Sequence, residues 1–88
     1  MAIENFSKAI EMGIKRGAIF FLRGHCYYEV GKYEEALADF TKATKLNPGI
    51  YEYHVRRANA LIKLGRFDEA DEAMEKAKGN RKNLSPPF

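Results

Sequence analysis

A chain of 88 residues holds one domain or a piece of one around a single modest core, which excludes a multidomain enzyme. With 45% hydrophobic and 31% charged residues it is neither low-complexity nor disordered by composition, and 15 Lys+Arg against 12 Asp+Glu leave a net charge of +3, short of an evident polyanion binder. The single cysteine, Cys26, excludes an internal disulfide and fits a reducing, cytoplasmic setting, while the longest fully apolar run, Ala18 to Leu22, is too short to cross a bilayer and follows no charged-then-apolar leader.

The first predicted helix covers roughly 2–12, carries Ile3, Phe6 and Ile10, and stops at Gly13. A second, over about 17–30, sets Phe20, Gly24 and Tyr27 on one face at three- and four-residue spacing. Gly31 ends it, because glycine accepts the left-handed backbone of a helix C-terminal cap. The third, about 33–46, opens with Glu34 and Glu35, whose charge suits the positive end of the helix dipole, and closes at Asn47-Pro48-Gly49. A fourth helix at about 51–64 runs to Gly65. The fifth, at about 67–78, opens with Asp68, Glu69, Asp71 and Glu72, closes with Lys76 and Lys78, and has Gly79 as its stop. No segment alternates with period two, so no sheet is expected.

Displacing the sequence by 34 residues brings these helices into register. Arg23 falls on Arg57, Gly24 on Ala58, Tyr27 on Leu61, Gly31 on Gly65, Tyr33 on Phe67, Ala36 on Ala70, Phe40 on Met74 and Ala43 on Ala77. In the other direction Ala36, Phe40, Lys42 and Ala43 land on Ala2, Phe6, Lys8 and Ala9. The chain therefore divides into a half unit (1–13), two full units (17–48 and 51–78) and a tail (79–88) containing Pro86-Pro87. Small residues explain how paired helices meet: Gly24 is expected against Ala36, and Ala58 against Ala70, with Phe20, Tyr27, Phe40, Leu61 and Met74 filling the flanking space.

The spacing of Phe20, Arg23, Gly24 and Tyr27, then Ala36 and Phe40, then Ala43 and Pro48, on a 34-residue period, resembles the tetratricopeptide repeat. Arg23 and Arg57 stand where that pattern usually carries leucine, His54 replaces the first large aromatic, Met74 the second, and Lys82 the closing proline. The resemblance implies an all-α fold of five helices, an antiparallel hairpin solenoid coiled as a right-handed superhelix over residues 1–78. An arginine on a packed helix face is read first as a stem laid on apolar surface with its head on a carboxylate. Asp39 is the expected partner of Arg57 between repeats, and Asn5 a neutral partner of Arg23.

The resemblance further implies a concave wall, made by the first helix of each hairpin, that holds a partner protein or peptide segment. On this sequence the wall takes Phe21, Leu22, His25, Tyr28, Val55, Arg56, Asn59, Ile62 and Lys63, with Ala18, Glu29 and Glu52 beside them. Phe21, Tyr28 and Ile62 have two readings: exposed anchors for a ligand, favoured slightly for Phe21, or packing against the neighbouring hairpin. A subset of the family clamps the acidic C-terminal carboxylate of heat-shock chaperones, which here requires asparagine at 22, lysine at 52 and arginine at 56. Leu22, Glu52 and Arg56 stand there instead, and a glutamate in place of a cation argues against the clamp.

Single-stranded RNA binding of the pentatricopeptide kind is the alternative, drawn from the stretch Asn59 to Lys63 and on through Gly65 to Ala70. The charge map opposes it: residues 1–16 sum to +1, 17–50 to zero and 51–88 to +2, with no continuous basic stripe. No catalytic residue, cofactor or metal site is expected. His25 and Cys26 are adjacent and point about 100° apart on a helix, so they do not form a nucleophile and base. Cys26 reads as a small buried hydrophobe. The first helix has no hairpin partner ahead of it, and three explanations stand together: an excerpt of a longer scaffold, a homodimer through unpaired terminal helices, or a tail folded back on Leu84 and Phe88. A membrane role is excluded from the expectation.

Overall fold

The computed structural model describes residues 2–14 and 16–82, and the side chains of 3–14 and 16–78. Its five helices are α1 (Ala2–Glu11), α2 (Gly17–Glu29), α3 (Tyr33–Leu46), α4 (Tyr51–Lys63) and α5 (Phe67–Lys82), and among the described residues there is no strand. Each helix packs on the next in chain order, so the layers follow the sequence.

Helix ends follow local rules. Gly31 at φ 83° lets the Lys32 N–H donate to the Tyr27 carbonyl at 2.9 Å and its own N–H donate to Tyr28 at 3.1 Å, which satisfies two of the orphan carbonyls of α2. Gly65 (φ 76°) closes α4 in the same way through Arg66 to Leu61 and Gly65 to Ile62, and Gly13 (φ 94°) closes α1 through Ile14 to Ala9 and Gly13 to Ile10. The starts of α3 and α5 carry negative charge instead. No side chain caps the N-termini of α2, α3 or α4, while Glu34 and Glu35 occupy the first turn of α3 and Asp68 and Glu69 that of α5. Gly79 does not stop α5, which continues to Lys82. A helical glycine costs about 1 kcal/mol against alanine, a penalty that an established helix absorbs.

One core cluster joins Ala36, Leu37, Phe40, Ala58, Ala60, Leu61, Ala70 and Ala73, drawing on α3, α4 and α5; a second joins Phe20, Ala43 and Tyr53. Phe40 and Leu61 are fully buried, a burial that stabilises by about 1.5–3 kcal/mol for each. Gly24 serves the first cluster differently from expectation. A Cβ added there would lie 2.9 Å from the Phe40 ring and 3.0 Å from the Asp39 Cβ, so the missing side chain makes room for an aromatic face one turn beyond Ala36. Position 58, the repeat equivalent, carries a buried alanine, and Met74 replaces Phe40 opposite it. Residues 83–88, with Leu84 and Phe88, lie outside the described residues.

Candidate functional site

Arg23 is held on every side. Its Nε donates to Asp39 Oδ2 and its Nη2 to Oδ1, both at 2.7 Å, a bidentate fork on a carboxylate that is almost wholly buried. Its Nη1 donates to Ser7 Oγ of α1 at 3.1 Å, and the guanidinium carbon lies 5.9 Å from the Phe20 ring centre and 5.7 Å from that of Tyr27. The hydrogen bonds to Asp39 raise the Arg23 pKa above its ordinary value, against the opposing effect of burial. This corrects two pairings: Asp39 answers Arg23 within its own hairpin rather than Arg57 across the repeat, and Ser7 rather than Asn5 supplies the neutral partner. Asn5 is exposed. Both helices of a hairpin turn one face to each other, and that face carries positions 23 and 39 together.

Arg57 occupies the same place one repeat later and has lost the aspartate, the phenylalanine and the tyrosine, while a hydroxyl remains at the place of Ser7. Displacement by 34 residues turns Asp39 into Ala73, Ser7 into Thr41, Phe20 into His54 and Tyr27 into Leu61. Arg57 Nε is buried without a hydrogen-bond partner, and among the described residues its guanidinium makes no ion pair. His54, only 5% exposed, lies 2.7 Å through Nε2 from the Pro48 carbonyl, which only accepts, so Nε2 carries a proton. Its Nδ1 is a second buried atom without a partner. Both side chains line a cavity of about 470 Å³ between α3, α4 and α5, with Thr41, Thr44, Lys45 and Lys76 around it. Sequence reading missed this cavity, although applying the 34-residue register to Asp39 itself reveals the missing acid.

The predicted wall residues separate into two groups. Phe21 is not an exposed anchor: it is half-buried, stacks on Tyr53 at 4.7 Å, meets Phe40 at 5.7 Å, and touches both core clusters. A stacked hairpin buries a second face of α2 against the following repeat, and Phe21 lies on it. Tyr28 is likewise half-buried, edge-on to Tyr33 at 5.2 Å. Leu22 and Ile62 remain open to solvent at 42% and 47%. His25, Val55 and Asn59 are half-buried, and the exposed Lys63 carries its Nζ 6.0 Å from the Tyr33 ring centre. Arg56 donates to Glu52 at 2.8 Å on its own helix, so the cation is already answered by the glutamate.

His25 faces Glu29 at 3.9 Å rather than its neighbour Cys26, which is a free thiol, half-buried rather than fully enclosed. Among the described residues no helix is long and apolar enough to cross a membrane.

Family models of the tetratricopeptide repeat match residues 17–50 and 51–78, most of the chain. The chain belongs to the tetratricopeptide repeat family. This tetratricopeptide repeat chain is 36% identical over 74 residues to the STIP1 homolog of Dictyostelium discoideum, which covers 84% of it and 13% of that protein. Over 75 residues it is 33% identical to small glutamine-rich tetratricopeptide repeat-containing protein 2 of Mycosarcoma maydis, covering 85% of the chain and 21% of that relative. The Hsp70-Hsp90 organising protein of Plasmodium falciparum shares 33% over 67 residues, covering 76% of the chain and 12% of its own length. The tetratricopeptide repeat chain thus spans between an eighth and about a fifth of these relatives. The solved structure of MamA MSR-1 C2 superposes with a TM-score of 0.86 at 22% identity, over 94% of this chain and 48% of that one, which establishes the all-α helical-repeat fold.

Proposed function

We propose that the chain is a non-catalytic interaction module that binds a partner protein or peptide segment along the wall built by α2 and α4, as a segment of a larger cytoplasmic scaffold. The observation that carries this reading is the exposure of Leu22 and Ile62 on helices whose other faces are buried in the two clusters. His25, Asn59 and Lys63 supply polar groups beside them. The name of one relative, the Hsp70-Hsp90 organising protein, supports a protein partner. The chemistry of this wall favours a segment with both apolar and charged side chains over an acidic chain end, because Glu52 repels a carboxylate and also occupies Arg56. The alternative, single-stranded RNA, gains no support from family models and relatives that are of the tetratricopeptide kind.

The test is a pull-down comparing wild type with the double variant Leu22→Asp, Ile62→Asp, both at exposed positions that leave the core intact. Loss of a specific protein from the variant is the expected result. Recovery of RNA that is released at moderate salt, or equal recovery of protein by both chains, overturns the reading. Self-association through α1, whose Ile3, Phe6 and Ile10 are only half-buried, belongs to the same proposal. Sedimentation at micromolar concentration is expected to show a homodimer, and a monomer with a cooperative melt rules it out.

A further inference from the structure

We propose that the cavity between α3, α4 and α5 is a binding site for a carboxylate, delivered by an acidic side chain of a partner segment. The argument starts from the chain's own answer to the same problem. In the first repeat the arginine of this position is neutralised by a buried aspartate gripped through two bonds of 2.7 Å. In the second repeat the arginine is retained, the aspartate is replaced by Ala73, which is buried in the core, and Arg57 lines an open cavity of about 470 Å³.

Three features give that cavity its preference. Arg57 Nε is a buried donor with no acceptor, placed as Arg23 Nε is placed for Asp39. Lys45 and Lys76, both exposed, add positive charge at its lining, and among the described residues no carboxylate lines it. Thr41, at the place of the Ser7 that backs Arg23, lines the site with a hydroxyl able to donate to a carboxylate oxygen, whereas the buried His54, its Nε2 proton directed at Pro48, presents only an acceptor at Nδ1. An incoming carboxylate lies in this cavity against the Arg57 guanidinium, and the two lysines hold neighbouring acidic groups of the same segment. None of these residues belongs to the wall proposed above, so the two surfaces can be occupied independently.

The experiment follows the side-chain Nε–Hε resonances of Arg57 and Arg23 by NMR while an N-acetylated, C-amidated tetraglutamate peptide is added to the full chain, with acetate and inorganic phosphate as separate arms. The Arg57 resonance is expected to shift saturably toward the position of Arg23, while Arg23, already paired with Asp39, stays still. Acetate is expected to give the same shift only at concentrations more than about tenfold higher, since it engages no lysine. Ala73→Asp supplies Arg57 with an acid of its own chain, as Asp39 supplies Arg23, and is expected to weaken the peptide by more than about tenfold. Should that variant not fold, Lys45→Gln with Lys76→Gln, both on the surface, is expected to weaken the peptide by about fivefold. The Leu22→Asp, Ile62→Asp variant is expected to bind the peptide as wild type does, which separates this site from the wall. An unmoved Arg57 resonance, full affinity in the lysine double variant, acetate as potent as the peptide, or tighter binding of phosphate than of the peptide each overturns the proposal.

Discussion

Two arginines 34 residues apart in sequence share a helix position and have opposite fates. Arg23 is clasped by Asp39, backed by Ser7 and laid between Phe20 and Tyr27. Arg57, facing Ala73, Thr41, His54 and Leu61 at the equivalent places, keeps a buried nitrogen without an acceptor. Repetition of a backbone therefore does not repeat the chemistry on it. One groove is closed by the chain's own carboxylate, and the other has the same cation and an open cavity. The two hairpins differ in packing for a related reason: glycine opposite phenylalanine in the first, alanine opposite the more pliable methionine in the second.

The strongest way to break this contrast is to open the first groove. Asp39→Ala leaves Arg23 partly buried and unpaired, and is expected to cost about 2–3 kcal/mol in urea denaturation. That is below the 3–5 kcal/mol typical of fully buried pairs, because Arg23 keeps 21% of its side chain in water. If stability is unchanged, Asp39 is not a structural partner and the contrast between grooves collapses. Next in size is Gly24→Ala. The added Cβ meets the Phe40 ring at 2.9 Å, an overpacking penalty of about 1–3 kcal/mol that the better helix propensity of alanine offsets by about 1 kcal/mol. A net loss near 1 kcal/mol is expected, recovered when Phe40→Met is added, since that pair reproduces the second hairpin.

Arg57→Met sharpens the comparison from the other side. Removing a buried donor that has no acceptor eliminates an unmet desolvation cost, and the thioether fills similar volume. The variant is expected to match wild type or to gain up to about 1 kcal/mol, whereas Arg23→Met loses stability. A loss in Arg57→Met as large as that in Arg23→Met shows the two niches to be equivalent and removes the basis for a site in the second.

What the sequence made readable, and what it hid, divides along the same line. Helix ends were legible because glycine caps and first-turn carboxylates act over a few residues: Gly13, Gly31 and Gly65 all take the left-handed backbone expected of them. Gly79 was misread because the cost of a helical glycine is small and context decides whether the helix goes on. Periodicity located one buried face per helix. In stacked hairpins α2 buries two, and Phe21, off the first face, stacks on Tyr53 of the next repeat. The Arg23–Asp39 pair was hidden because Asp39 can answer an arginine of its own hairpin or of the next, which spacing alone does not resolve. Leu22 and Ile62, by contrast, stay exposed because no neighbouring hairpin face reaches them.

The smallest expected effect tests the pair through pH. Arg23 is raised above its ordinary value by its bonds to Asp39, so the folded state holds its proton more tightly than the unfolded chain. Such a group contributes fully at every pH below its unfolded value and loses that contribution only as pH climbs through the folded one. Both lie in the arginine range, beyond the pH reached in the experiment. The stability margin of wild type over Arg23→Met is therefore expected to stay constant from neutral pH into the alkaline range, measured as urea midpoints. Arg23→Lys moves the same linkage to about pH 10.4, the ordinary lysine value, or above it where Asp39 raises it. Its stability should then fall away from that of wild type as pH rises through that region, while a lysine that does not reach Asp39 gives a flat profile. Among the described residues Arg57 faces no carboxylate, so Arg57→Lys is expected to show no such fall, and the contrast between the two profiles marks the position that an aspartate answers.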